Sequence, residues 1–192
     1  MSADSDAAKR ATGPGLKAGD KIPDFSLPCT DGSFISSAAL LDQGPLIVTF
    51  YRGIWCPYCR SDLMALVEAT AEVQSCGGSL AAIARETSPN KNREFEREHA
   101  IGFPILNDAT GATARSFGIG WSEAYLQSLY DEFVADRTGD PPEPSWIEPM
   151  QARYVVAQDG TIAWVDISAD YRIAPELSAA LETLRRLQPP SA

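Results

Sequence analysis

Leu46-Ile47-Val48-Thr49-Phe50-Tyr51-Arg52-Gly53-Ile54-Trp55-Cys56-Pro57-Tyr58-Cys59 is the stretch that decides how this chain reads. Its first six residues form an unbroken apolar and β-branched run, the pattern of a strand buried on both faces. Residues 61–73, just past the second cysteine, read as a helix. A Cys-x-x-Cys pair at a strand-to-helix junction, in a chain without visible export features, points to dithiol/disulfide chemistry.

If the helix starts at the pair, Cys56 is its N-cap, Pro57 is N1 and Cys59 is N3. Proline suits N1 because its missing N–H has no partner there in any case. Three helical positions put Cys59 one turn from Cys56, within disulfide reach. The N-cap sulfur then faces the open amides of Tyr58 and Cys59 and the positive end of the helix. A helix terminus contributes roughly 1 kcal/mol toward a negative charge in its first turn, and about 2 in favourable sites. A thiol near 8.5 therefore falls toward about 7. Arg52, four residues upstream, lowers it further if its guanidinium faces the sulfur. Cys56 is accordingly expected as an exposed thiolate nucleophile and Cys59 as its resolving thiol. Trp55 is expected either beside the pair or in ordinary core packing.

Other uses of the pair have less to build on. A structural zinc site calls for a second Cys-x-x-Cys or a His pair, and the chain offers only Cys29, Cys76 and His99, all distant in sequence. A disulfide closing a two-residue loop constrains the unfolded chain little. Cys29 and Cys76 are expected as free thiols and His99 as a solvated helix residue. No metal and no cofactor is expected.

The 192 residues fit one domain, with 44% hydrophobic residues and a net charge of −10. That charge argues against nucleic acid and anionic membrane surfaces as partners. No apolar leader is visible at the N-terminus, and no stretch has the length of a membrane span, so a cytoplasmic location is expected.

Residues 1–16 read as a flexible arm, and residues 17–192 as a single domain. Asp31-Gly32 marks the turn of a small β-hairpin. Strands are expected over 45–51, 79–84, 103–106, 153–157 and 161–165, with helices over 90–100, 110–117 and 174–187. Residues 118–148 interrupt the alternation with an inserted helical stripe (Tyr125, Leu126, Leu129, Tyr130, Phe133) and a proline-rich loop. The whole implies an α/β fold: a central mixed sheet flanked by helices, with an N-terminal hairpin and a helical insertion before the last two strands. The cysteine pair then sits at the carboxyl end of a central strand, where open α/β sheets place their sites.

From residue 16 to 187 the chain resembles the peroxiredoxin-like proteins of the alkyl hydroperoxide reductase/thiol-specific antioxidant family, which have a thioredoxin-like fold. The resemblance rests on Gly19-Asp20-Lys21-Ile22-Pro23-Asp24-Phe25, on Phe50 through Cys59, and on Tyr154-Val155-Val156 leading to Asp159-Gly160-Thr161-Ile162. It implies a thiol-dependent peroxidase with antioxidant activity. Cys56 would attack peroxide to give a sulfenic acid, and Cys59 would condense with it to a redox-active disulfide. Thioredoxin, glutaredoxin or glutathione would then restore the thiols. A homodimer is compatible with the resemblance. The Cys-x-x-Cys alone supports a second reading, a thioredoxin-like protein disulfide oxidoreductase using the same two cysteines.

The chain departs from the family pattern in three places. Typical members carry Thr or Ser three residues before the reactive cysteine and Pro seven before it, where this chain has Gly53 and Thr49. They carry Arg three residues ahead of the aromatic matching Tyr154, where this chain has Gln151. Arg52 and Arg153 are the cations available to take the place of the missing one.

Overall fold

The computed structural model describes residues 15–85, 89–120, 149–168 and 170–188. Five strands make the main sheet: β3 (Leu46–Phe50), β4 (Ser79–Ala84), β5 (Ile105–Asn107), β6 (Gln151–Val156) and β7 (Ile162–Ser168), in the order β5-β4-β3-β6-β7. β3, β4 and β5 run parallel, while β6 and β7 run antiparallel to their neighbours. Strands β1 (Ser26–Pro28) and β2 (Phe34–Ser36) form the separate hairpin. The expected mixed α/β sheet and N-terminal hairpin are therefore present.

Side chains alternate across a strand, so β3 feeds two cores at once. Ile47 and Tyr51 face one cluster, which also holds Cys56, Cys59, Leu63, Leu66, Val155 and Leu184. Leu46, Val48 and Phe50 face the other, with Phe117, Ala152 and Tyr154. The first face is covered by α2 (Pro57–Ser75) and α5 (Leu177–Arg186), the second by the hairpin, α1 (Ser37–Leu41) and α4 (Ala112–Ser116). Helix α3 (Pro89–Glu98) brings Phe95 to the first face.

Helix α2 forms because Cys59, Leu63, Leu66, Ala69 and Val73 recur at helical spacing and bury one stripe. It stops at Gly77, whose φ of 62° closes the helix end, with the Gly78 N–H donating to the Val73 carbonyl at 3.0 Å. Its first residue is Pro57 and its N-cap is Cys56, as the spacing implies.

Helix α1 was not anticipated. Ser36 caps it, its Oγ accepting from the Ala39 N–H at 3.1 Å. Five residues are too few to show a period. Of the expected arm, residues 1–14 lie outside the described residues, and Leu16 already donates its N–H to the Phe117 carbonyl. Of the expected insertion, residues 121–148 lie outside them, and its two flanks meet where Gly120 bridges Pro149. No helix among the described residues is long and apolar enough to cross a membrane.

Candidate active site

Four elements converge on the cysteine pair. The end of β3 supplies Arg52 and Gly53, the first turn of α2 supplies Cys56, Tyr58 and Cys59, β6 supplies Gln151, and the segment after β7 supplies Tyr171. All four cysteines of the chain are free thiols.

The electrostatics of the two sulfurs are opposite. The Cys56 thiol is pulled down to about 6, chiefly by a hydrogen bond from the Cys59 side chain. Burial works against this, and the N–H of Cys59, the Arg52 charge and the N–H of Tyr58 add to the lowering. Cys56 closes no capping bond of regular geometry; the amides act on its charge by proximity. Cys59 moves upward, because its proton is held by the bond to Cys56, by burial and by the Cys56 charge. Both directions favour a thiolate at position 56 and a thiol at position 59 in the reduced pair. The sequence reading credited the helix terminus and Arg52, and missed that the second cysteine is the larger influence.

One expectation needs correction. Cys56 is not exposed: the residue retains only 2% of its accessible surface, and Cys59 retains none. The exposed groups here are the flanking rings, Trp55 at 55% and Tyr58 at 45%. Core packing for Trp55 is excluded by the same numbers. Its indole lies over Gly53, whose φ is 144°, and a Cβ there would stand 2.6 Å from Trp55 Nε1. Gly53 therefore cannot be the Thr or Ser of the family pattern without displacing that ring and straining the backbone.

Arg52 is half-buried, and its guanidinium lies 4.6 Å from the Trp55 ring centre and 4.8 Å from that of Tyr171. Tyr58 meets Tyr171 edge-on at 6.1 Å. Through these contacts Trp55, Arg52, Tyr171 and Tyr58 form one connected group flanking the cysteine pair.

Arg153 does not stand in for the missing arginine. It is fully buried, donating from one terminal nitrogen to both Asp62 oxygens at 2.7 Å and from the other to the Pro175 carbonyl at 2.5 Å. This clamp ties α2, β6 and the approach to α5 together. Burial raises the Asp62 carboxyl more than the guanidinium lowers it. A charged residue within the buried stripe of α2 was the signal that would have revealed this pair. Gln151, by contrast, does reach the cysteines, with Nε2 3.6 Å from Cys59 Sγ. The backbone at its position carries no cis bond, and none occurs among the described residues.

The remaining candidates lie elsewhere. Cys29 is half-buried on the hairpin, bridging to Leu106 in β5, and burial raises its thiol. Cys76 caps the far end of α2. His99 lies just past α3, half-buried, its ring 4.4 Å from that of Phe95, rather than solvated in the helix. Among the described residues, no group of three or more His, Cys, Asp or Glu is arranged to hold a metal ion.

Known proteins resemble this chain in sequence and in fold. The chain is 30% identical over 105 residues to a putative peroxiredoxin of Mycobacterium tuberculosis, covering 54% of this chain and 67% of that one. It is 28% identical over 129 residues to peroxiredoxin Bcp of Escherichia coli, covering 65% and 81%. Among solved structures, peroxidoxin BcpB of Mycobacterium tuberculosis superposes with a TM-score of 0.69 at 23% identity, over 89% of this chain and 97% of that one, a likeness of fold. The AhpC/TSA family model matches residues 18–165, a span that runs from the N-terminal hairpin through the cysteine pair to the middle of β7. By that match, on a thioredoxin-like sheet, this chain belongs to the AhpC/TSA family.

Proposed function

We propose that the chain is a thiol-dependent peroxidase in which Cys56 is the peroxide-reactive residue and Cys59 resolves it. The observation that carries this reading is the polarised pair itself: a thiolate stabilised at the N-terminus of α2, with a proton held beside it on the neighbouring thiol. The Cys56 thiolate attacks one oxygen of the hydroperoxide, and the O–O bond breaks. Cys56 becomes a sulfenic acid, and the departing oxygen takes a proton from solvent to leave as alcohol or water. Cys59 then attacks the Cys56 sulfur, water leaves, and a disulfide joins the two. A dithiol such as thioredoxin or glutaredoxin, or glutathione, returns both sulfurs to thiols by exchange. The cycle needs a reducing compartment, as the cytoplasm is.

Burial of Cys56 makes access part of the mechanism. Arg52 and the amides of Tyr58 and Cys59 remain to hold its charge. The relatives are named as peroxiredoxins, which favours this reading over a disulfide oxidoreductase built on the same pair.

Single-turnover peroxide consumption by the reduced protein tests it. Cys56→Ser is expected to abolish consumption, whereas Cys59→Ser is expected to consume one equivalent and stop at the sulfenic acid. Reduced wild-type protein that leaves peroxide untouched would overturn the proposal.

A further inference from the structure

Gln151 opens strand β6, is 1% exposed, and ends beside the cysteine pair. Its Nε2 lies 2.5 Å from the Tyr171 carbonyl oxygen and 3.6 Å from Cys59 Sγ. A backbone carbonyl only accepts, so the amide must turn its NH2 end toward Tyr171. That end has two hydrogens, and the second is directed at the Cys59 sulfur. A sulfur that receives an N–H keeps its own S–H for another partner, and that partner is Cys56.

We propose that Gln151 is a positioning residue for the resolving half of the cycle. It holds the Cys59 sulfur as an acceptor, so that the S–H faces Cys56 in the reduced protein, and its N–H stabilises the Cys59 thiolate that closes the disulfide. The inference rests on the roles assigned above to Cys56 and Cys59.

The chemistry gives the N–H a changing task. While Cys56 is an anion, its charge and its hydrogen bond keep the proton on Cys59. Once Cys56 is a neutral sulfenic acid, both influences are gone and only burial still opposes a charge on Cys59. What remains around Cys59 are the N–H groups of Arg52 and Gly53, which favour the thiolate, and the amide of Gln151. The Cys59 sulfur then forms the S–S bond, the S–O bond breaks with its electron pair, and the Cys59 proton leaves with that oxygen as water. Cys56 is reduced from the sulfenic state as Cys59 is oxidised, so no further oxidant is needed.

The step can be watched without peroxide. Reduced full-length protein is mixed with a chromogenic nitrobenzoate disulfide. Attack by Cys56 releases one nitrobenzoate thiolate, and attack by Cys59 on the resulting mixed disulfide releases a second. Signal from Cys29 and Cys76 is measured on the Cys56→Ser/Cys59→Ser double variant and subtracted. The second release in wild type is expected to have a pH midpoint below the ordinary thiol value of about 8.5. Gln151→Met, similar in size but without the donor, is expected to slow it about tenfold at pH 7, moving the midpoint up by about one pH unit, with recovery at high pH. An unchanged second release overturns the proposal, as does a uniform slowing with no movement of the midpoint. If Gln151→Met does not fold, a wild-type midpoint at or above 8.5 overturns it alone. A protein that passes this test but ignores peroxide refutes the peroxidase reading and leaves the role of Gln151 standing.

Discussion

Replacing Cys59 by alanine removes the largest influence holding Cys56 as a thiolate, and the size of the effect follows from the structure. An ordinary cysteine near 8.5 has been brought to about 6, against the opposing pull of burial. A helix N-terminus supplies about 1–2 kcal/mol, worth about one pH unit or slightly more. The rest falls to the S–H donated by Cys59 and to Arg52, and a hydrogen bond to a charged acceptor contributes about 1.5–3 kcal/mol. Cys59→Ala should therefore raise Cys56 by about 1.5 pH units, to about 7.5.

The sign is fixed by the direction of the shift. A lowered thiol is ionised above about 6 and loses its charge as pH falls through that value. With the midpoint at about 7.5, the thiolate fraction at pH 6 drops from about one half to about 3%, roughly a fifteenfold loss, and at pH 7 about fourfold. The assay is the pH dependence of alkylation at the Cys56 peptide, read by mass spectrometry so that Cys29 and Cys76 do not intrude. The midpoint decides rather than any single rate, because a more basic thiolate is intrinsically more nucleophilic and lifts the plateau. Cys59→Ser keeps an O–H donor and should stay within about half a pH unit of wild type. Should Cys59→Ala keep a midpoint near 6, the S–H is not what holds the charge, and the reasoning fails.

Two further substitutions probe the surroundings. Arg52→Met should raise the same alkylation midpoint by less than about one pH unit, since its charge ranks below both the Cys59 thiol and the Cys59 amide; it should also change Trp55 emission by removing the stacked guanidinium. Asp62→Ala should cost about 3–5 kcal/mol in urea denaturation by leaving the Arg153 charge buried and unpaired, and pairing Asp62→Leu with Arg153→Met should recover most of that loss.

Much of this was legible before the structure, and for identifiable reasons. β3 and β4 were readable because both bury all of their side chains and so appear as unbroken apolar runs. The start of α2 was readable from Pro57, which fits N1 and little else in a helix. Pairings between distant segments were not readable. Nothing in the order of residues says that Arg153 meets Asp62, or that Tyr171 lies over Arg52, because register and loop path set those contacts. Exposure at Cys56 was misjudged for the same reason. An N-cap sulfur is open to solvent on an isolated helix, but here tertiary packing leaves Cys56 only 2% of its accessible surface.

The three departures from the family pattern are bound into this same arrangement. Thr49 donates its hydroxyl to the Ala152 carbonyl at 3.3 Å and keeps its place in a strand paired on both sides. Gly53 makes room for the Trp55 indole, and Gln151 turns to Cys59 and Tyr171. The side chains that typical members carry at these positions are thus replaced by groups that act on the thiols or on the backbone around them. A spacing of two residues makes this workable. With both cysteines in one helical turn, their Cα atoms are already within the roughly 4.4–6.8 Å that a disulfide spans. In the proposed cycle the resolving thiol therefore stands beside the nucleophile before any chemistry occurs and lends it a proton donor while it waits.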